Sequence, residues 1–338
     1  MTFRGGPELE TVYDHARAEG HGFFASNVTT PEILVGLIRG AERTGSDVVL
    51  QLKRDTAEHV GAGDPAAGAS IIGEYLRTIG ENADVGVFLN VDHLRPGEEA
   101  FLDSCLDVGT PASVMIDASH EPFEENVRIT REIRERLDAR DDGILLEAEL
   151  GTIEGEEGGV RTDEAFYTDP EEAVEFVDRS GCDLLAVSIG TEHGVSAGRD
   201  LDLRPDLAAD IDRALRDHGL DVPLVVHGAS GLEDDQIRRL LETGVCKFNK
   251  NTRYQYEYAR TAHDFYAAHG DAIVPPEGIE DDREGFFADA EWSPRKAEFG
   301  PPVVIEEIRE RIAEVMADLT HLTGSAGESL YADSSADE

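Results

Sequence analysis

Eight short apolar runs alternate with amphipathic stretches from residue 8 to about residue 260. The runs are rich in Val, Ile, Leu and Phe, which is typical of strands buried on both faces of a parallel sheet. They cover residues 21–28, 47–52, 85–92, 113–118, 143–149, 184–190, 223–227 and 245–249. Eight β–α units in one series predict an α/β fold, a (β/α)8 TIM barrel. An open doubly wound sheet is the alternative, but it more usually stops at about five or six strands.

The stretches between the runs carry helix start and stop signals. Several begin with Pro or an acidic residue and several end in Gly, as PEILVGLIRGAERT (31–44) and PEEAVEFVDRSG (170–181) do. Residues 270–300 break the alternation and lead to a final helical pattern. We therefore predict a barrel over 1–265, a C-terminal excursion and helix packed on it over 266–323, and a mobile acidic tail over 324–338.

Polar residues stand at the carboxyl ends of the predicted strands. In a parallel barrel these ends meet at one rim, where enzymes of this fold keep their chemistry. We expect the following side chains to face one cavity: Asn27, Gln51, Lys53, Asp92, His93, Asp117, Glu147, Glu149, His193, His227 and Asn249.

Three of these residues, His93, His193 and His227, are histidines that each follow an apolar run. Three imidazoles converging from three strand ends can hold one Zn²⁺ and leave a fourth position open, which is the catalytic arrangement. The competing interpretation is three isolated strand-end histidines. Asp92 precedes His93 and is either an acid that reaches substrate or a carboxylate that orients an imidazole.

Two glycine-rich segments are candidates for substrate contacts. The loop ELGTIEGEEGGV (149–160) carries Glu156 and Glu157 at its tip, so it is either a mobile carrier of a general base or an acidic surface loop. Gly194, Gly228, Ser230 and Gly231 follow the later histidines, and loops after strands seven and eight of a barrel often bind phosphate.

The large excess of acidic residues argues against polyanionic partners and indicates a salt-rich environment. The chain has 30 basic and 72 acidic residues, a formal net charge of −42. Nucleic acid and anionic membranes need a basic surface, so neither is expected as a partner. A folded chain this acidic repels itself unless salt screens it, which predicts a high-salt cytoplasm.

Cysteine use and hydropathy predict a cytoplasmic protein. Cys105, Cys182 and Cys246 are odd in number and lack metal-ligand spacing, which is typical of small buried residues in a reducing compartment. The first residues, MTFRGGPELE, have no apolar signal region, and no apolar run approaches the length of a membrane span.

Six ordered motifs resemble the class II, metal-dependent fructose-bisphosphate aldolases. They are NVDH (90–93), SVMIDASHEPFEEN (113–126), ELGTIEGEEGGV (149–160), LLAVSIGTEHG (184–194), PLVVHGASG (223–231) and KFNKNT (247–252). The resemblance implies reversible cleavage of fructose 1,6-bisphosphate to dihydroxyacetone phosphate and glyceraldehyde 3-phosphate, a step of glycolysis and gluconeogenesis, through a metal-stabilised enediolate. The segment near WSPRK (292–296) resembles a C-terminal extension of a dimeric subgroup and implies a homodimer.

The resemblance assigns roles by position. His93, His193 and His227 would bind Zn²⁺, with Glu149 beside them as a further metal contact, and a monovalent cation is allowed for in addition. Asp92 would protonate the aldehyde oxygen during condensation, and Glu157 would remove the proton from C3 of dihydroxyacetone phosphate. The residues that would hold the sugar phosphate are Asn27, Gly194, Gly228, Ser230, Asn249 and Thr252.

Three positions depart from the family pattern. Leu52-Lys53-Arg54 stands where Ser and glycines are usual, Ser196 and Ala197 replace an aromatic residue and Lys, and Asn251 replaces a common Asp. We expect Lys53 or Arg54 to supply positive charge to a phosphate.

Other functions stay open at the level of sequence. A Schiff-base aldolase would use Lys53 or Lys247, and a barrel that has lost catalysis would only bind metal. Tagatose 1,6-bisphosphate differs from fructose 1,6-bisphosphate in the configuration at C4 alone. A three-histidine site also suits Co²⁺, Fe²⁺ or Mn²⁺.

Overall fold

A computed structural model describes residues 3–108, 111–140, 142–151, 154–155, 167–193 and 202–332. Its central feature is a closed parallel barrel, which confirms the predicted fold and excludes the open sheet. Each strand pairs with the next, and the last pairs with the first. The strands are β1 (Phe23–Asn27), β2 (Val48–Leu52), β3 (Val87–Leu94), β4 (Ser113–Ile116), β5 (Leu145–Leu150), β6 (Leu184–Val187), β7 (Leu224–Val226) and β8 (Val245–Lys250).

Helices surround this barrel and follow the predicted signals closely. Thr30 caps one helix by accepting from the backbone of Ile33, and Gly45 ends that helix in the left-handed conformation. The helices cover Gly6–Glu19, Pro31–Thr44, Arg54–Val60, Pro65–Gly80, Glu99–Val108, Phe123–Asp138, Pro170–Ser180, Pro205–Asp217, Asp234–Leu241, Thr252–Ala268, Gly270–Ile273, Lys296–Phe299 and Pro301–Thr323. None of the described helices has the length and apolar character that crossing a bilayer requires.

The C-terminal helix Pro301–Thr323 packs on the helix Pro31–Thr44. Two glycines allow this close approach: a Cβ at Gly36 would lie 2.6 Å from Ile312 Cβ, and one at Gly40 would lie 2.5 Å from the carbonyl oxygen of Ala313. Arg43 adds an ion pair with Glu310 across the contact. A second ion pair, Arg311 with Glu257, joins the C-terminal helix to the helix Thr252–Ala268, so the C-terminal helix is held against more than one helix of the outer layer.

The barrel interior is apolar at its amino end and polar at its carboxyl end. The helix Gly6–Glu19 closes the amino end, where Tyr13 and Leu9 pack with Phe23, Phe88 and Val225. Further along the same strands the inward positions are polar and buried, as Gln51, Asn90, Asp92, Glu147 and Lys247 are. Because buried polar groups need partners, this carboxyl half is where a functional site is expected.

The residues after the last helix also contact the barrel. Asp47, at the start of β2, accepts hydrogen bonds from Ser329 Oγ (2.5 Å) and the Leu330 backbone (3.0 Å), and the Arg4 guanidinium lies 3.9 Å from the Tyr331 ring centre. Residues 325–331, within the tail predicted to be mobile over 324–338, hydrogen-bond to the amino end of the barrel. The mobility of the tail stays a prediction. Residues 333–338 lie outside the described residues.

Candidate metal and substrate site

His93 departs from the alternation of strand β3. Its φ of +50° lies in the left-handed region, which costs a non-glycine residue about 1–2 kcal/mol, and the register with β4 shifts between Val91 and Leu94. In a regular strand Asp92 and His93 would point to opposite faces. With this distortion both side chains reach into the barrel, where each contacts residues from other strands.

Asp92 is held by amide donors from three strands. Its carboxylate accepts from Asn27 Nδ2 (3.0 Å), Gln51 Nε2 (2.9 Å) and Asn249 Nδ2 (3.2 Å), and Lys53 Nζ lies 3.8 Å away. Burial works to raise the pKa of Asp92, but its interactions with His93, first, and then Lys53 outweigh burial and hold the pKa well below the usual range. Asp92 is therefore a fixed carboxylate.

His93, His227 and Glu149 form a cluster that could hold a metal ion. One ligand atom from each lies within 4.8 Å of the others. His227 Nδ1 is 3.3 Å from His93 Nε2 and 3.7 Å from a carboxylate oxygen of Glu149. Nitrogen ligands about 2.1 Å from a tetrahedral Zn²⁺ lie about 3.4 Å apart, so the spacing of the two imidazoles fits a shared metal.

Residues around the cluster fix its members. His227 Nε2 lies 2.8 Å from Glu147 Oε1, and Lys247 forms an ion pair with the same carboxylate. Burial lowers the pKa of His227, although Glu147 opposes this, so the imidazole is neutral near pH 7. Ser119 Oγ lies 2.7 Å from Asp117 and 3.2 Å from Glu149, and Asn126 donates to the Glu149 backbone oxygen (2.9 Å).

The loop after β7 passes close to the short strand Glu192–His193. Gly228 has a φ of +70°, and a Cβ there would lie 2.4 Å from the Glu192 carbonyl oxygen, so this position requires glycine. The contact brings the backbone of His193 next to the loop that follows His227. The side chain of His193 lies outside the described part of the chain, as do Glu157, Gly194 and Ser196.

Ser230 and Thr252 lie near the same end of the barrel. Ser230 belongs to a 3-10 turn, Ala229–Gly231, whose Ala229 carbonyl accepts from Lys250 Nζ at 3.0 Å. Thr252 is exposed and is the first residue of the helix Thr252–Ala268. Asn249 behaves differently from these two, because its amide bonds to Asp92 inside the barrel.

A cavity of about 380 Å³ opens beside His93. Three basic side chains line it: Lys53, Arg54 and Arg95. Arg54 also lies 3.2 Å from Glu58 and 3.7 Å from Glu98. Two carboxylates, Asp55 and Glu98, line the cavity as well. The three cations outnumber them, so the lining favours an anion. A groove of about 990 Å³ between the helices Phe123–Asp138 and Pro170–Ser180 lies away from this cluster.

Several of these residues stand at predicted strand ends, but the sequence does not indicate their contacts. Glu147 and Lys247 each stand two residues before a proposed site residue, so the strand period of two places them on the same inward face. Gln51 was likewise visible as a strand-end residue. By contrast, Ser119 and Arg95 carry no comparable signal, because both lie beyond regular strand positions.

Comparisons with known proteins agree with this architecture. The model of the family described as class II fructose-bisphosphate aldolase matches residues 8–328. A fructose-bisphosphate aldolase of Geobacillus stearothermophilus is 33% identical over 264 residues, covering 78% of this chain and 86% of the relative. A D-tagatose-1,6-bisphosphate aldolase subunit, GatY of Klebsiella oxytoca, is 34% identical over 266 residues, covering 77% and 86%.

Solved structures show the same fold. The fructose-bisphosphate aldolase of Campylobacter jejuni superposes with a TM-score of 0.82 at 23% identity, covering 97% of both chains. The YdjI aldolase of Escherichia coli K12 gives a TM-score of 0.71 at 27% identity, covering 95% of this chain and 98% of that one.

Proposed function

Because the chain belongs to the class II fructose-bisphosphate aldolase family, and so is an aldolase of the carbon–carbon lyase class, we propose that it cleaves fructose 1,6-bisphosphate reversibly with the help of Zn²⁺. The products would be dihydroxyacetone phosphate and glyceraldehyde 3-phosphate, as in glycolysis and gluconeogenesis. The observation that carries this proposal is the 3.3 Å approach of His227 Nδ1 and His93 Nε2 beside Glu149. Two imidazole nitrogens this close to each other and to a carboxylate could share one cation.

The metal would be held by His93, His227 and His193, with Glu149 as a further contact. When bound, a divalent ion supplies Lewis-acid stabilisation of the negative charge that develops beside the substrate carbonyl. Zn²⁺ suits this donor set, and Co²⁺, Fe²⁺ or Mn²⁺ are outcomes that elemental analysis would distinguish.

Asp92 would move the proton on the oxygen at C4. As an ionised carboxylate it can take the C4 hydroxyl proton during cleavage, and it returns that proton to the aldehyde oxygen during condensation. The three amides bonded to Asp92 keep its carboxylate in place for this transfer. Glu157, outside the described residues, is proposed to exchange the proton at C3 of dihydroxyacetone phosphate.

The two phosphates would lie at opposite sides of the site. Gly194, Gly228, Ser230 and Thr252 are proposed to hold the phosphate of the dihydroxyacetone half, with Asn27 and Asn249 at the reacting carbons. Lys53 and Arg54, joined by Arg95, are proposed to bind the phosphate of the aldehyde half in the 380 Å³ cavity. Their positive charge would then replace the Ser and glycines that are usual in the family.

The decisive experiment measures triose phosphate release from fructose 1,6-bisphosphate in molar KCl, before and after EDTA and after Zn²⁺ is added back. We expect loss and recovery of activity together with bound metal by elemental analysis. His227→Ala should be inactive, whereas His263→Ala, at an exposed histidine, should match the wild type. Full activity in protein shown to be free of metal would refute the proposal and favour a lysine mechanism. Lys247 is fully buried in its ion pair, which weighs against that mechanism.

A second substrate is supported by the 34% identity to a D-tagatose-1,6-bisphosphate aldolase subunit. The same metal and proton chemistry serves either epimer at C4. Comparing kcat/KM for the two bisphosphates decides between them, and a higher value for the tagatose epimer would replace the first assignment. Activity with neither, in protein that binds metal, would favour a metal-binding barrel without catalysis.

We also propose a homodimer in a salt-rich cytoplasm. Large apolar side chains are exposed on the C-terminal third of the chain, among them Tyr256, Val274 and Phe286 at 59%, 62% and 67%. These side chains are candidates for a partner surface, and the proposal of a dimer rests on the resemblance of residues 292–296 to the C-terminal extension of a dimeric subgroup. Light scattering in molar KCl would test it, and a monomeric mass at micromolar concentration would contradict it.

A further inference from the structure

A charged pair lies inside the barrel, one layer below the proposed metal ligands. Lys247 on β8 and Glu147 on β5 form an ion pair, and both side chains are fully buried. Each stands two residues before a residue of the site, Asn249 and Glu149, on the same inward face of its strand. Burying two charges costs free energy that an apolar pair would not, so the pair calls for an explanation beyond packing.

The pair determines which nitrogen of His227 carries a hydrogen. Glu147 Oε1 lies 2.8 Å from His227 Nε2. A carboxylate paired with an ammonium group accepts hydrogen bonds and has none to donate. The hydrogen of the neutral imidazole is therefore on Nε2, and the lone pair is on Nδ1.

Asn249 Nδ2, which lies 3.0 Å from the same Nε2, is consistent with this assignment. Nε2 cannot donate to Glu147 and accept from Asn249 at once. The Asn249 amide nitrogen carries two hydrogens, and Asp92 Oδ1, 3.2 Å from Nδ2, accepts one of them. At His227 Nε2 the charged oxygen of Glu147, at 2.8 Å, is the closer partner. Asn249 thus serves Asp92, and Nε2 is left to Glu147.

The lone pair on Nδ1 is directed at the proposed metal position. Nδ1 is the atom that lies 3.3 Å from His93 Nε2 and 3.7 Å from Glu149. A hydrogen on Nδ1 would occupy the space where the ion must lie. The tautomer that Glu147 favours, with the hydrogen on Nε2 and the lone pair on Nδ1, is therefore the one that can bind metal.

We propose that Glu147, oriented by Lys247, is a positioning residue that fixes His227 as an Nδ1 ligand. The inference rests on the metal site of the proposed function but not on its substrate. Partners that hold a ligating histidine in one tautomer typically change metal affinity about 10- to 100-fold when they are replaced.

Glu147→Gln tests the proposal with almost no change of shape. Lys247 can only donate, so it retains the amide oxygen of the new side chain and turns the NH₂ group toward His227 Nε2. The imidazole must then accept at Nε2 and carry its hydrogen on Nδ1. We expect the affinity of chelator-stripped protein for Co²⁺, followed by its visible absorption and by Zn²⁺ competition, to fall about 10- to 100-fold.

A double variant provides the rescue. In Glu147→Gln combined with Lys247→Met, nothing holds the amide oxygen, so it can turn to accept from His227 Nε2 and restore the binding tautomer. Its Co²⁺ affinity should exceed that of Glu147→Gln alone, although the double variant has lost two charged groups. If Glu147 and Lys247 had only a structural role, the double variant should bind Co²⁺ more weakly than Glu147→Gln alone.

Asp47→Asn is the matched control. It makes the same change at a buried carboxylate at the other end of the barrel, and Co²⁺ affinity should stay at the wild-type value. If Glu147→Gln binds Co²⁺ as tightly as the wild type, the proposal is wrong, whatever the aldolase activity. Should Glu147→Gln fail to fold, ¹⁵N NMR of histidine-labelled, metal-free wild type decides: a hydrogen on Nδ1 of His227 overturns the proposal, and one on Nε2 supports it.

Discussion

Gln51 Nε2 donates to Asp92 Oδ1 across 2.9 Å and to Asn90 Oδ1 across 3.0 Å, so both hydrogens of one amide are committed. The orientation of the Gln51 side chain is thereby fixed, and with it one side of the proposed proton-transfer group. A hydrogen bond to a charged acceptor is worth about 1.5–3 kcal/mol.

Gln51→Leu is therefore expected to lower kcat about 10- to 100-fold, since 1.36 kcal/mol corresponds to about one factor of ten. KM should change less, because Gln51 acts on Asp92 and not on the phosphates. Steady-state cleavage in high KCl measures both constants. Unchanged Co²⁺ affinity is the control for an intact metal cluster, and unchanged kcat would remove Gln51 from the machinery.

Lys53→Met separates phosphate recognition from catalysis. In the condensation direction, KM for glyceraldehyde 3-phosphate should rise about 10- to 100-fold, corresponding to about 1.5–3 kcal/mol for a lost charged contact. KM for unphosphorylated glyceraldehyde should not change. Lys53 also lies 3.8 Å from Asp92, and a change in Asp92 would affect both aldehydes alike. It therefore cancels in the ratio of KM for glyceraldehyde 3-phosphate to KM for glyceraldehyde. An equal rise for the two aldehydes would contradict the assignment, and Lys296→Met is the surface control.

Lys250 should make stability depend on alkaline pH. Burial lowers the pKa of Lys250 from 10.5 to about 8, so the folded state releases this proton more easily than the unfolded chain. The cost of burying the charge is full below about 8 and disappears as the pH rises toward 10.5. Wild type should therefore gain stability relative to Lys250→Met between pH 8 and 10.

Urea unfolding of both proteins across this range measures the difference. Lys296→Met, at an exposed lysine, should show no such trend. A constant difference between wild type and Lys250→Met would mean that Lys250 titrates as an ordinary lysine.

Ser329→Ala should lower the free energy of unfolding without affecting the metal cluster, because Ser329 lies at the opposite end of the barrel. The hydroxyl donates to Asp47, a carboxylate that is 1% exposed and whose pKa is raised by burial despite its hydrogen bonds. Removing one donor from a buried charge costs about 1–3 kcal/mol. Urea unfolding should show this loss, with Co²⁺ affinity unchanged. Ser104→Ala, at an exposed helix hydroxyl, should stay within about 0.5 kcal/mol of wild type.

Salt should stabilise the folded chain. With a net charge of −42, mutual repulsion of carboxylates opposes the folded state, and screening shortens its range from about 10 Å at 0.1 M salt to about 3 Å at 1 M. The melting temperature should rise with KCl and with NaCl at equal ionic strength. Sucrose of equal osmolality, which does not screen, should give a smaller rise. A melting temperature independent of salt would refute the expectation of a salt-rich environment.

The strands and most helices could be predicted because burial imposes a pattern on the sequence. Each of the eight apolar runs overlaps a barrel strand, with ends that differ by at most three residues, and the helix Pro31–Thr44 has the predicted bounds. Polar residues at strand ends likewise pointed to the rim. Their contacts could not be predicted, because they depend on distances between strands far apart in sequence, as between Gln51 and Asp92.

Two features of the structure, the backbone conformation of His93 and the contacts of the segment around Ser329, have no recognisable pattern in the sequence. The left-handed backbone of His93 is adopted against the preference of its residue type. The sequence therefore indicates only that Asp92 and His93 are both candidates for the site. The segment around Ser329 has no periodicity, and its hydrogen bonds to Asp47 depend on the completed barrel. Glu157 and the side chain of His193 remain predictions.

The contact between the two ends of the chain bears on synthesis. Tyr331 donates to the backbone oxygen of Glu8 at 3.3 Å and lies against Arg4. Arg4 belongs to the two-residue strand Phe3–Arg4, which pairs with β3. Chains leave the ribosome amino end first, so the helix Gly6–Glu19 emerges long before the residues that cover it. The amino end of the barrel can be completed only after residues 329–331 have left the ribosome, and until then Asp47 lacks two of its donors.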